Sequence, residues 1–298
     1  MTTQRTRPPT RRPNRGWVPD QHGAWAMLVV PPLLGMLHGG GSWRHLPLFV
    51  AWFVGYLAFH AWTLWFKTKA PRRAQYLPPL LTYGTVSALA TAVTLVSAPG
   101  LLGWAVAFGP LFGLAIGEVW RHAERSLLSG FATVLAAGLL TPIAVSVSPA
   151  ASAELAAPPT AGPGWTQWLT HQLGFPGLGM SPSGWLITAL LTGYFLGTVL
   201  HVKALIRKRR SRGHFAASVT WHVAMLGTVV LLALAPGLVA GVGSGPLWGQ
   251  VAVWLLLTGR AAIMPARQHR GTKPFSPRFI GLLEMGATLL VTGTLLLF

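Results

Sequence analysis

The chain has 298 residues, 52% of them hydrophobic and only 9% charged, where a soluble domain carries about 25% charged residues. With a mean hydropathy of +0.51, most of it is better solvated by lipid than by water. The formal net charge of +18 lies in short breaks between apolar runs, with no basic soluble domain to hold nucleic acid, and the lack of cysteine excludes disulfides, thiolate metal sites and cysteine nucleophiles.

Residues 1–20 form a basic, proline-rich tail with Arg5, Arg7, Arg11, Arg12 and Arg15, too poor in apolar surface to fold alone. Residues 21–298 read as one polytopic membrane domain. The first apolar run, 22–37, contains Pro31 and Pro32 and is short of the ~20 residues a full crossing needs. Further spans are predicted over 47–66, 79–96, 101–120 and 126–147. The longest loop, 149–184, holds no lysine or arginine. Within it Trp165, Trp168, Leu169 and Leu173 fall at helical spacing, which suggests a short helix lying in the interface. Spans six to nine are predicted over 185–206, 215–234, 246–264 and 279–298.

Charge tests this count of nine. With the N-terminus inside and the C-terminus outside, 22 of the 23 lysines and arginines fall on the inner side, and Arg44 alone lies outside. An eight- or ten-span arrangement would put a basic cluster outside, against the bias that keeps Lys and Arg in cytoplasmic loops. The densest cluster, Lys203 with Arg207–Arg212 at the exit of span six, is first of all a topology signal. The predicted fold is all-α, in the bacterial plasma membrane.

Ionisable residues inside a span cost ~2.5–3.5 kcal/mol each at mid-helix, so each asks for a reason. His60 lies about 10 Å in from Lys67 at ~1.5 Å per residue, and His222 lies at a comparable depth from Phe215. Glu284, Arg260 and His201 also fall in the inner half, Glu118 closes span four, and His22 opens span one. The outer half is expected to be nearly bare, which points to one cytoplasm-facing cavity. His60, Glu118, His201 and Glu284 are the candidate acid–base groups. His22, Lys67, Arg121, Lys203, Arg207, His222 and Arg260 are the candidate ligand-binding groups.

Each has a plainer reading. Glu284 and Arg260, at similar depth on consecutive antiparallel spans, fit a structural ion pair as well as a site. Glu118, Arg121, His122 and Arg125 share a helical face, as an anion clamp or as end charges reaching for the interface. His60 fits a hydrogen-bonded core histidine. With Asp20 the sole aspartate and only Glu118, Glu124, Glu154 and Glu284 besides, no metal motif is present, nor is the GxSxG of a serine hydrolase. No cofactor is expected.

The stretch PDQHGAWAMLVVPPLLG, 19–35, and the later KPFSPRFIGLLEMG, 273–286, resemble the YwiC-like bacterial membrane protein family. KTKAPRR at 67–73 and EVWRHAERS at 118–126 fit as well, so the resemblance covers nearly the whole chain. It implies a polytopic membrane protein and carries no activity. A more distant likeness is to the UbiA-type prenyltransferases. That family implies nine helices and a cytoplasm-side cavity, with Asp-rich motifs after the second and sixth spans that bind magnesium and prenyl diphosphate. The corresponding exits here, 60–73 and 201–212, contain no aspartate, and without carboxylates Mg²⁺ has no oxygen cage. The expected function is binding of an isoprenoid, quinone or anionic lipid in the inner cavity, with membrane lipids as partners. The alternative is a divergent, metal-independent transferase. A small-solute transporter ranks below both, since no internal repeat is seen.

Overall fold

The computed structural model describes residues 16–19, 24–124, 126–148, 180–271 and 275–298. Among these residues all regular structure is helical. The principal helices are α1 (Ala24–Gly39), α2 (His45–Lys67), α3 (Leu77–Ser97), α4 (Ala105–Trp120), α5 (Leu127–Ser146), α6 (Pro182–Val202), α7 (Arg212–Leu234), α8 (Ser244–His269) and α9 (Pro277–Leu295). A lipid environment leaves the backbone little alternative, because every N–H and C=O must be satisfied within the segment.

Helices α2 to α9, some with their flanking helical turns, are long and apolar enough to cross a membrane. At 16 residues α1 rises about 24 Å, short of a hydrocarbon core of about 30 Å. It is nevertheless built into the bundle, burying Leu28, Leu34 and Gly35. A Cβ at Gly35 would stand 2.2 Å from the carbonyl oxygen of Thr141 on α5, so the two backbones touch there in a way that only glycine permits.

Helix α5 joins two packed halves. On one side Leu48 of α2, Trp104 before α4 and Leu140 and Ile143 of α5 share a core. On the other, Leu34 and Val134 of α1 and α5 meet Leu191 and Tyr194 of α6, Trp254 of α8 and Val291 of α9. Outward faces stay apolar, as at Leu89 and Val96 of α3 and Leu282 and Leu289 of α9. A continuous apolar exterior is a liability in water and the natural surface in lipid. The chain is a polytopic integral membrane protein.

Serine sets several helix starts. The side chains of Ser126, Ser211 and Ser276 accept hydrogen bonds from the backbone N–H three residues on, at 2.9, 3.4 and 3.2 Å, each satisfying a donor otherwise unpaired in the first turn. The cap at Ser211 starts α7 three residues before the expected 215. Span eight, expected to end at 264, continues through Pro265 inside α8 to His269. Span six ends in a single π-helical turn, Lys203–Arg207.

The antiparallel connections bring the described cations to one end. Lys67 to Arg73 lie between α2 and α3, Arg121 after α4, Arg207 to Arg212 between α6 and α7, and Arg267, Arg270 and Arg278 about the α8–α9 turn. Among the described residues, Arg44 is the one lysine or arginine at the opposite end. The N-terminal segment 16–19 packs at the cationic end, where Trp17 meets Tyr83 edge-on and the Tyr83 hydroxyl donates to its carbonyl at 2.9 Å. The tail before it, the expected interfacial helix at 165–173, and Arg125 lie outside the described residues.

Candidate functional site

The α6–α9 half carries its polar side chains on facing stripes. Residues three and four apart share a helix face, which aligns Tyr194, Thr198 and His201 on α6, Ser218 and His222 on α7, Trp254 and Thr258 on α8, and Glu284 and Thr288 on α9. Arg260 extends from α8 to Glu284, its Nη1 donating to Oε1 at 2.6 Å, with side chains only 9% and 13% exposed. The other carboxylate oxygen accepts from Thr198 Oγ1 at 3.2 Å. One turn deeper, the Tyr194 hydroxyl lies 2.9 Å from Thr288 Oγ1 and 3.1 Å from the Glu284 carbonyl oxygen. Three helices are thus tied through one acidic residue.

Beside this pair stand two fully buried histidines. The rings of His201 and His222 are 6.2 Å apart at 71°, and Trp254 lies 6.1 Å beyond His222. His222 Nδ1 is 2.7 Å from the Ser218 carbonyl oxygen. A carbonyl can only accept, so Nδ1 carries the proton and Nε2 presents a bare lone pair. Close approach of α6 to α7 brings the rings together. A Cβ at Gly197 would sit 3.1 Å from His222 Nε2 and 3.0 Å from Trp221 Cδ1. Several buried polar atoms here have no hydrogen-bond partner: both ring nitrogens of His201, His222 Nε2, Ser218 Oγ, Trp254 Nε1, and Nε and Nη2 of Arg260.

Of the residues singled out in the sequence, the structure gathers His201, His222, Arg260 and Glu284 in this cluster. Lys203 lies just beyond it in the π turn, where its carbonyl accepts from Lys208 N at 2.8 Å. Arg207 lines a surface depression of 490 Å³ with Lys208, Arg209, Arg210 and Ser211. The remaining candidates fall elsewhere. His60 is half-buried on α2, in the other half of the bundle. Glu118 is buried, accepts a hydrogen bond from the capping Ser126 hydroxyl, and has the exposed Arg121 at 3.6 Å, so it organises the α4–α5 turn. Lys67 pairs with Glu124 and ties α2 to that same turn. His22 lies outside the described residues.

Other groups were not singled out from sequence. Thr198, Ser218 and Thr288 lie a helical turn or so from His201, His222 and Glu284, a spacing that was there to be read, whereas Tyr194 and Trp254 lie seven and six residues from His201 and Arg260. The opposite end is also not bare. His45 is buried, with Nε2 donating to the Ala144 carbonyl at 2.9 Å and Nδ1 accepting from Ser42 N at 3.0 Å, which latches the start of α2 to the end of α5. On that same half an apolar groove of 420 Å³ opens among Leu48, Trp52, Leu95, Leu101 and Phe108, away from the histidines. Among the described residues, no three His, Cys, Asp or Glu side chains are placed to share a metal ion.

The model of the YwiC-like protein family matches residues 18–145. The uncharacterized protein YwiC of Bacillus subtilis (strain 168) is 30% identical over 207 residues, 69% of this chain and 74% of that protein. An uncharacterized protein of Haemophilus influenzae is 25% identical over 232 residues, 76% of this chain and 85% of its own length. No solved structure matches the chain.

Proposed function

The chain belongs to the YwiC-like family, and we propose that it holds the head group of a membrane lipid, an isoprenoid, a quinone or an anionic lipid, in the α6–α9 half of its bundle. The observation that carries this reading is the set of buried, unpartnered side-chain atoms on His201, Ser218, His222, Trp254 and Arg260. A polar group buried without a partner costs about 1–3 kcal/mol. Several on facing helices, inside spans where ionisable residues are rare, are accounted for by a ligand that completes them. The cations at Lys203 and Arg207–Arg212 border the same end and mark it as the side where the bilayer's head groups lie. By the positive-inside bias that end faces the cytoplasm, with the protein in the bacterial plasma membrane.

Native mass spectrometry of the detergent-purified chain tests this directly. A lipid of defined mass should remain bound to the wild type, and Ser218→Ala combined with His222→Asn should lower its occupancy. A chain that flies lipid-free under conditions that keep it folded defeats the reading.

A further inference from the structure

We propose that the His201–His222 cluster receives a neutral hydroxyl, the head of a membrane-lipid alcohol, and not a phosphate or a carboxylate. The inference rests on the lipid-binding reading and narrows it to one head-group chemistry. Its basis is the balance of donors and acceptors left open. Trp254 Nε1 and the Nε and Nη2 of Arg260 only donate, whereas His222 Nε2, opposite the protonated Nδ1, only accepts. Neutral His201 offers one nitrogen of each kind, and the Ser218 hydroxyl serves as either.

An anionic or carbonyl oxygen only accepts. It would meet the donors and leave the His222 lone pair facing another lone pair. A fully ionised phosphate could engage His222 Nε2 only through a second proton on that ring, which would add a like charge beside the Arg260 guanidinium. Charge points the same way, because Glu284 already matches Arg260 at 2.6 Å, so the pair presents no net positive charge to an anion. A hydroxyl oxygen donates once and accepts up to twice, so it can meet the His222 lone pair and up to two of the donors at once. Depth fits a lipid alcohol as well. Ser218 lies six residues into α7, about 9 Å below its cationic start at Arg212, and His222 ten residues in, about 15 Å. There a lipid's polar head gives way to its tail.

The test holds the tail constant and changes the head. Purified full-length protein in detergent micelles is titrated with farnesol, farnesyl diphosphate and inorganic pyrophosphate, and thermal unfolding is followed. Farnesol should raise Tm in a saturable way. Ser218→Ala, a deletion of one buried hydroxyl, should weaken the apparent Kd for farnesol about tenfold, as expected for a lost hydrogen bond of ~1.4 kcal/mol. His222→Asn serves as the second variant. Stabilisation by farnesyl diphosphate or pyrophosphate without a farnesol effect would overturn the neutral-hydroxyl assignment and leave lipid binding standing. Indifference to all three, in a chain that also retains no lipid in native mass spectrometry, would mean that water alone meets these groups, and would overturn both. A farnesol effect unchanged in Ser218→Ala and His222→Asn would place the alcohol elsewhere and overturn the assignment too.

Discussion

Arg260 and Glu284 meet at 2.6 Å between α8 and α9, in the half of the bundle where charge has least access to water. Desolvation makes such a pair a modest net stabiliser, yet removing one partner leaves the other charge buried alone. Glu284→Gln should therefore cost about 3–5 kcal/mol of stability. Glu284→Gln with Arg260→Met should recover much of that loss, as read from thermal unfolding of the four proteins in a double-mutant cycle. Additive losses would show that the two side chains act independently.

His45 joins α2 to α5 through the Ala144 carbonyl. His45→Ala should destabilise the fold by about 1–3 kcal/mol, since it strips a buried acceptor of its donor. The change lies at the end remote from the histidine cluster, so lipid retention per folded molecule should be unaltered. Unfolding midpoints together with native mass spectra of the variant check both halves of this expectation.

Close contact and open space give opposite outcomes for glycine replacement. Gly35→Ala would place a Cβ 2.2 Å from the Thr141 carbonyl oxygen, and because that neighbour is backbone the helices must part. Destabilisation of about 1–3 kcal/mol follows from overpacking. Gly259→Ala, in α8 with nothing within 4 Å of the added atom, should instead gain about 0.5–1 kcal/mol from the lower conformational entropy of the unfolded chain. Matched thermal unfolding curves will show whether the signs differ.

Because the chain contains no cysteine, single-cysteine reporters give an unambiguous topology. Arg210→Cys should react with a membrane-impermeant maleimide in inside-out vesicles and be protected in intact cells. Arg44→Cys should behave in the opposite way. Labelling of Arg210→Cys from outside the cell would reverse the orientation and put the cationic end on the far face of the membrane.

Much of this arrangement was legible before any coordinates. Basic residues mark alternate chain breaks, so the common end of Lys67, Arg121, Arg207 and Arg278 follows from counting spans. The serines that cap α5, α7 and α9 were not read from the apolar runs, and at α7 the run alone placed the start three residues late. Span eight errs in the other direction, placed to end at 264, just before Pro265. A proline reads as a helix end, and here the helix continues through it.

His60 and His222 show where counting fails. By residue count His60 lies about 10 Å from Lys67 and His222 about 15 Å from Arg212, and nothing local to either says that one sits on α2 in the first half while the other faces His201. Glu118 and Glu284 divide in the same way, one buried beneath a helix cap and the other within the ion pair. Composition, the lengths of the apolar runs and the placement of charge determined that the chain spans a membrane, in what order, and which end is cationic. Those properties depend on partition between lipid and water, which each segment settles for itself. Which helices are neighbours, and so which buried polar groups meet, was decided only by tertiary packing. The close approaches at Gly35 and Gly197 depend on the shapes of two surfaces at once, and neither surface is written in its own segment.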